Sequence, residues 1–124
     1  MNMQIDATEK TPKVLFNKDT GELSMEGVCI PELTHDFFKP IISFVTSLDV
    51  ATLKNFTLTV NLHFFNTGIS RYILELMKTI QKLKEKGVAI KFKWYYNIDD
   101  EDIEEAGRSY SFILNEPFEM VSFS

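Results

Sequence analysis

Thr67, set between Asn66 and Gly68, is the residue whose type and place best fit a chemical role in this sequence. An alternating stretch ends just before it and a helical stretch begins just after it, so it sits at a strand-to-helix junction. In open α/β sheets ligands and modifications are met at that edge, because helix N-termini point their amide N–H groups outward there. A hydroxyl at such a point can be esterified by phosphate, which adds roughly −1.5 to −2 charges at pH 7 and three acceptor oxygens. The loop residues Asn66, Gly68, Ile69, Ser70 and Arg71 are expected to accommodate that group and to face a partner, with the amides of Gly68, Ile69 and Ser70 as donors. A plainer reading is that Thr67 caps the helix, its oxygen accepting an N–H two or three residues on. An alternative is a small-anion or nucleotide-binding module that uses the same helix start, Thr67 to Ser70.

Other chemistry finds little support. His35 and His63 have no second His or Cys at ligand spacing, so no metal site is expected, and Cys29 reads as an inert, partly buried thiol. Glycines 21, 27, 68, 87 and 107 are too scattered for a phosphate loop. The acidic run Asp99-Asp100-Glu101-Asp102 fails as a calcium loop, since a template begun at Asn97 puts Asp102 at the glycine position and Arg108 at the bidentate glutamate. Carboxylates opening a helix complement its positive end, with an acidic docking surface as the other option. No nucleophile is paired with a base by spacing. The sequence thus predicts no catalytic residue and no cofactor.

The elements that position Thr67 follow from periodicity. Lys13 to Asn17 and Glu22 to Val28 read as a hairpin turned by Lys18-Asp19-Thr20-Gly21. Phe37, Phe38, Ile41, Val45 and Leu48 predict a helix over Thr34 to Leu48, with Pro40 in its first turn or at a kink. Leu58, Val60, Leu62 and Phe64 alternate with Thr57, Thr59, Asn61 and His63, predicting a half-buried strand. A stripe from Ile69 to Leu83 predicts a long helix stopped at Gly87. Val88, Ile90, Phe92, Trp94 and Tyr96 predict the next strand, and together these segments form a parallel βαβ unit. Asp99 to Leu114 reads as a third helix with Ile103, Ala106, Gly107, Tyr110, Ile113 and Leu114 inward, and Phe118 to Phe123 as a last strand. Buried parallel strands are normally apolar on both faces. These alternate, so about three helices are expected mainly on one face of a mixed sheet of about five strands, leaving Thr59, Asn61, His63, Lys91, Lys93 and Tyr95 open to solvent or a partner.

Composition sets the frame. The chain has 124 residues, 44% hydrophobic and 25% charged, which predicts one domain over 1–124. A net charge of −5 argues against nucleic acid and anionic membranes as partners. No apolar run is long enough to span a bilayer, and Met1 to Lys10 lacks the core of a signal peptide. With one cysteine, a cytoplasmic location and a monomer or weak dimer are expected.

Ala7-Thr8, Thr11-Pro12-Lys13-Val14, Gly21, Gly27, Ile30-Pro31-Glu32, Phe65-Asn66-Thr67, Trp94-Tyr95-Tyr96, Asp99-Asp100-Glu101-Asp102, Glu105-Ala106-Gly107 and Pro117-Phe118 are shared features spread over nearly the whole length. Through them the chain resembles the SiaC family of bacterial phosphoproteins, whose fold is like that of the STAS domains of anti-sigma factor antagonists. The resemblance implies that the family's phosphorylated threonine falls on Thr67. It further implies a dedicated Ser/Thr protein kinase, a PP2C-type phosphatase, and a target such as a diguanylate cyclase engaged by the unphosphorylated form, in biofilm regulation through cyclic di-GMP. The chain departs from the family in carrying Gly68 and Ile69 where serines often follow the threonine, Leu33 where Asn is common, and Cys29 where Ser is frequent.

Overall fold

In the computed structural model, which describes residues 3–124, one mixed sheet carries three α-helices. The strands are β1 (Met3–Ile5), β2 (Lys13–Asn17), β3 (Glu22–Cys29), β4 (Asn55–Phe65), β5 (Ala89–Asn97) and β6 (Phe118–Phe123), and the helices are α1 (Thr34–Thr46), α2 (Ser70–Gln81) and α3 (Glu101–Leu114). Strand order in the sheet is the order in sequence, β1 to β6. The first three strands are antiparallel, and β3 to β6 run parallel, each pair bridged by one helix. Six strands are present where about five were expected. The extra one, β1, has three residues aligned with Val14 to Phe16 of β2, too few to show a period in sequence.

The alternation of β2, β3, β4 and β5 sends Val14, Phe16, Leu23, Met25, Phe56, Leu58, Val60, Phe92 and Trp94 to one buried face. All three helices lie on it. Phe44 of α1 meets Phe16 edge-on at 5.2 Å, Phe38 of α1 stacks on Tyr72 of α2 at 5.7 Å, and Tyr110 of α3 meets Trp94 at 5.5 Å. Burial of these rings and of the aliphatic stripe Ile73, Leu76, Met77 and Ile80 supplies the main driving force. The opposite face carries the polar set, with Thr59 Oγ1 donating to Glu22 Oε2 at 2.6 Å and Lys91 paired to Glu119 at 2.7 Å. No helix among the described residues is long and apolar enough to cross a membrane.

Local signals hold in most places. Gly21 takes φ +73° in the hairpin turn, where an added Cβ would stand 2.4 Å from the Asn55 carbonyl oxygen, so only glycine fits. After α2, a short 3-10 stretch, Lys82–Lys86, runs to Gly87, the left-handed cap. Helix α1 ends at Thr46, two residues early, and Pro40 sits in its second turn, where the Asp36 carbonyl loses the amide it would accept.

Two inward assignments are corrected. Phe64 is 57% exposed, because the pairing of β3 with β4 steps from Gly27↔Leu62 to Val28↔Phe64 and leaves His63 as an extra residue. A bulge of one residue reverses the alternation beyond it. Phe65 therefore turns toward Trp94, edge-on at 6.4 Å, and Phe64 turns out. Ile113 is 55% exposed, since the buried line of α3 runs through Ile103, Gly107, Tyr110 and Leu114 and Ile113 lies at its margin.

Candidate functional site

Because β3, β4, β5 and β6 are parallel, α1, α2 and α3 all begin at one edge of the sheet. Thr67 lies there. It opens a single 3-10 turn, Thr67–Ile69, that precedes α2, and Asn66, extended at φ −96° and ψ 165°, is the residue in the cap position. The Thr67 side chain is exposed, and among the described residues its hydroxyl has no hydrogen-bond partner. The capping role is thereby corrected: Thr67 is one residue inside the turn, where its oxygen no longer faces the following amides.

The expected set of donors is also corrected. Within the 3-10 turn the Ile69 amide donates to the Asn66 carbonyl at 3.3 Å and the Ser70 amide to the Thr67 carbonyl. The tighter i to i+3 pattern consumes both donors, so only the amides of Thr67 and Gly68 stand ahead of it. Asn66 Oδ1 leans over Gly68, 3.3 Å from the point where a Cβ would be.

The loop residues divide by direction. Ile69 is wholly buried, so its side chain anchors the turn and faces no partner. Ser70 Oγ accepts from Tyr110 Oη at 2.8 Å, which ties the first turn of α2 to α3. Arg71 turns away: its guanidinium lies 4.9 Å from the Tyr72 ring centroid and donates to Tyr72 Oη at 2.9 Å. It lines a groove with His35, Tyr72, Glu75 and Lys78 and takes no part in the surroundings of Thr67. As a phosphate ligand Arg71 is corrected: it is held by Tyr72 on the side of α2 that carries this groove, and it does not line the cavity at Thr67.

What surrounds Thr67 is apolar and acidic. A cavity of about 370 Å³ is lined by His63, Phe64, Phe65, Thr67, Ser70, Asp100, Asp102, Ile103 and Ala106. Asp100 caps α3 with its Oδ1 accepting the Ile103 amide at 3.0 Å, and Glu101, Asp102 and Glu104 follow in the first turn, so the acidic run does oppose the positive helix end. No basic side chain other than His63 lines this cavity. A free anion placed here meets two carboxylates and few donors, which counts against the anion-binding alternative. A phosphate held covalently needs no such affinity, since the exposed hydroxyl can carry it in water.

Sequence reasoning missed the company Thr67 keeps. The acidic run and Phe64 were assigned by element, and their nearness to Thr67 follows only once β4 and β5 are known to be adjacent and parallel. Cys29 is wholly buried where partial burial was expected, and burial pushes its thiol up to about 12, which disfavours the thiolate. Among the described residues no group of His, Cys, Asp and Glu is placed to hold a metal ion.

Comparison with known proteins places the chain in context. The family model described as SiaC family regulatory phosphoprotein matches residues 5–123. An uncharacterized protein of Pseudomonas aeruginosa strain UCBPP-PA14 is 21% identical over 117 residues, covering 94% of this chain and 93% of that protein. A chain in the crystal structure of the diguanylate cyclase SiaD in complex with its activator SiaC from Pseudomonas aeruginosa superposes with a TM-score of 0.85 at 20% identity, over 98% of this chain and 99% of that one. A structure of SiaC of Pseudomonas aeruginosa superposes with a TM-score of 0.78 at 19% identity, over 99% of each chain. These likenesses establish the fold.

Proposed function

The chain belongs to the SiaC family of regulatory phosphoproteins, a regulator and not itself a catalyst, and we propose that it is a protein-binding switch whose phosphorylated residue is Thr67. One observation carries this reading: the Thr67 hydroxyl is exposed, without a hydrogen-bond partner among the described residues, and carried on a 3-10 turn at the edge of the sheet where the helices begin. A kinase can reach it without disturbing the core, and no internal bond is lost when it is esterified. The phosphate then stands beside Asp100 and Asp102, with no Lys or Arg among the described residues lining the cavity, so it stays in solvent and alters the face a partner meets.

In this reading a Ser/Thr protein kinase adds the phosphate and a PP2C-type phosphatase removes it. The unphosphorylated form engages a diguanylate cyclase, as suggested by the fold shared with the chain of the SiaD–SiaC complex. The setting is cyclic di-GMP signalling in biofilm regulation, within the cytoplasm, with the switch acting as a monomer or weak dimer. Each 1.4 kcal/mol lost at the contact weakens binding about tenfold, so two or three such losses release the target.

Incubation with its kinase should raise the intact mass by one phosphate, and Thr67→Ala should abolish the gain. A Thr67→Ala chain that still gains a phosphate overturns the assignment.

A further inference from the structure

Three large apolar side chains stand in water at the ends of three adjacent parallel strands. Phe64 is the last residue but one of β4, Ile98 follows β5 at 60% exposure, and Phe123 closes β6 at 38%. Ile98 and Phe123 are neighbours, the Ile98 amide donating to the Phe123 carbonyl at 2.7 Å. Single exposed apolar residues are ordinary on a soluble surface, but a set gathered along one edge marks a contact site.

The cavity beside Thr67 adjoins a second, of about 660 Å³, lined by Leu62, His63, Asn97, Phe123 and the segment from Asp99 to Ile103. The two share His63, Asp100, Asp102 and Ile103, so they form one groove running from Phe123 to Phe64 and Thr67. Its charge is one-sided: Asp99, Asp100, Glu101 and Asp102 line it, with His63 the only basic side chain. Other cations are placed or paired elsewhere, Arg71 and Lys78 on the groove beside α1, Lys91 and Lys93 on the opposite face of the sheet, and Arg108 on α3 paired to Glu104 at 2.8 Å.

We propose that this groove docks a partner segment bearing both cationic and apolar side chains, its lysines or arginines facing the carboxylates and its apolar side chains resting on Phe64 and Phe123. Charge complementarity selects the occupant, because an acidic or neutral segment would cover four carboxylates and offer them no cation. Opposite charge also speeds encounter and makes it sensitive to salt. The regulatory half of the inference rests on the switch reading of Thr67. A phosphate at Thr67 lies at the Phe64 end, where seating an apolar side chain requires stripping water from a dianion. The phosphate therefore opposes the apolar contact at Phe64.

The test uses the full chain, isotopically labelled, and two synthetic amphipathic helical peptides, one of Leu and Lys and one of Leu and Glu in the same pattern. The Leu/Lys peptide is expected to shift the amide signals of Phe64, Ile98, Phe123 and the first turn of α3, and the Leu/Glu peptide is expected to bind far more weakly. Glu101→Gln combined with Asp102→Asn should weaken the Leu/Lys peptide roughly tenfold, while Glu9→Gln combined with Glu26→Gln, which removes as much charge elsewhere, should leave it within about twofold. Retained signal dispersion shows that each variant is folded. Equal weakening by both pairs reduces the effect to general attraction and overturns the proposal. So does absent binding, equal binding of the two peptides, or shifts confined to another surface. Phosphate uptake at Thr67 is read separately by mass, so a failed groove and a failed switch give different results.

Discussion

Tyr110 Oη donates to Ser70 Oγ at 2.8 Å, linking α3 to α2 three residues beyond Thr67. The phenol is buried, and the bond ties the first residue of α2 to the C-terminal half of α3.

Loss of that bond should be measurable. Tyr110→Phe is expected to lower stability by about 1 kcal/mol at neutral pH. Burial raises the phenol above its ordinary value of 10.0, with the Ser70 hydrogen bond opposing, so the folded chain keeps this proton longer than the unfolded one. The stability it contributes is therefore complete below that value and lost as pH rises through the folded-state value. Urea midpoints at neutral and alkaline pH check both effects; a variant that loses as much as the parent at alkaline pH removes Tyr110 from this role.

Gly107 of α3 packs directly against Trp94 of the sheet. A Cβ there would lie 2.4 Å from Trp94 Cδ1, and the indole cannot yield because its Nε1 donates to the Ile103 carbonyl at 2.8 Å. Helix propensity favours Gly107→Ala by up to about 1 kcal/mol. Overpacking costs about 1 to 3 kcal/mol or more, so the net effect is expected to be destabilising. A lowered melting temperature with altered tryptophan fluorescence confirms it, and a raised one refutes it.

Thr67→Val should leave stability within about 0.5 kcal/mol, since the side chain is exposed and its hydroxyl makes no bond. Thermal unfolding of the two chains provides the comparison. A larger loss reveals a structural duty for the hydroxyl, and would separate any functional defect of the variant from a pure loss of the phosphate acceptor.

Glu116 joins the end of α2 to the turn after α3, accepting from Lys84 Nζ at 2.6 Å and Gln81 Nε2 at 3.1 Å. Burial alone would raise its carboxyl, but these two donors outweigh that and hold it below the ordinary value of 4.5. Its contribution is thus present above that value and fades as pH falls through the lowered one. Glu116→Ala is expected to lose about 1 kcal/mol near neutrality, a figure kept small by the half-exposed lysine. The gap between variant and parent should close in acid; a gap constant with pH contradicts the assignment.

The elements were legible in the sequence because their signals are local. Alternation marks β4 and β5, a helical stripe marks α2, and Gly21 and Gly87 sit where the backbone needs positive φ. The one-sided placement of helices was legible too, since each strand shows one polar face. Thr67 stood out by position alone, at the boundary between two periods.

What the chain order could not reveal was decided by pairing across the sheet. The extra residue at His63 exists only relative to Gly27 and Val28, and it turns Phe64 outward against the alternation that its own strand displays. The 3-10 turn at Thr67 takes up the amides of Ile69 and Ser70, which a regular helix start would leave free. The neighbourhood of Thr67 and Asp102, which lie far apart in sequence, arises because parallel β4 and β5 deliver both helices to the same edge. Periodicity records which face a residue prefers; contacts between distant segments depend on register and topology, which are settled by the packing of the whole chain.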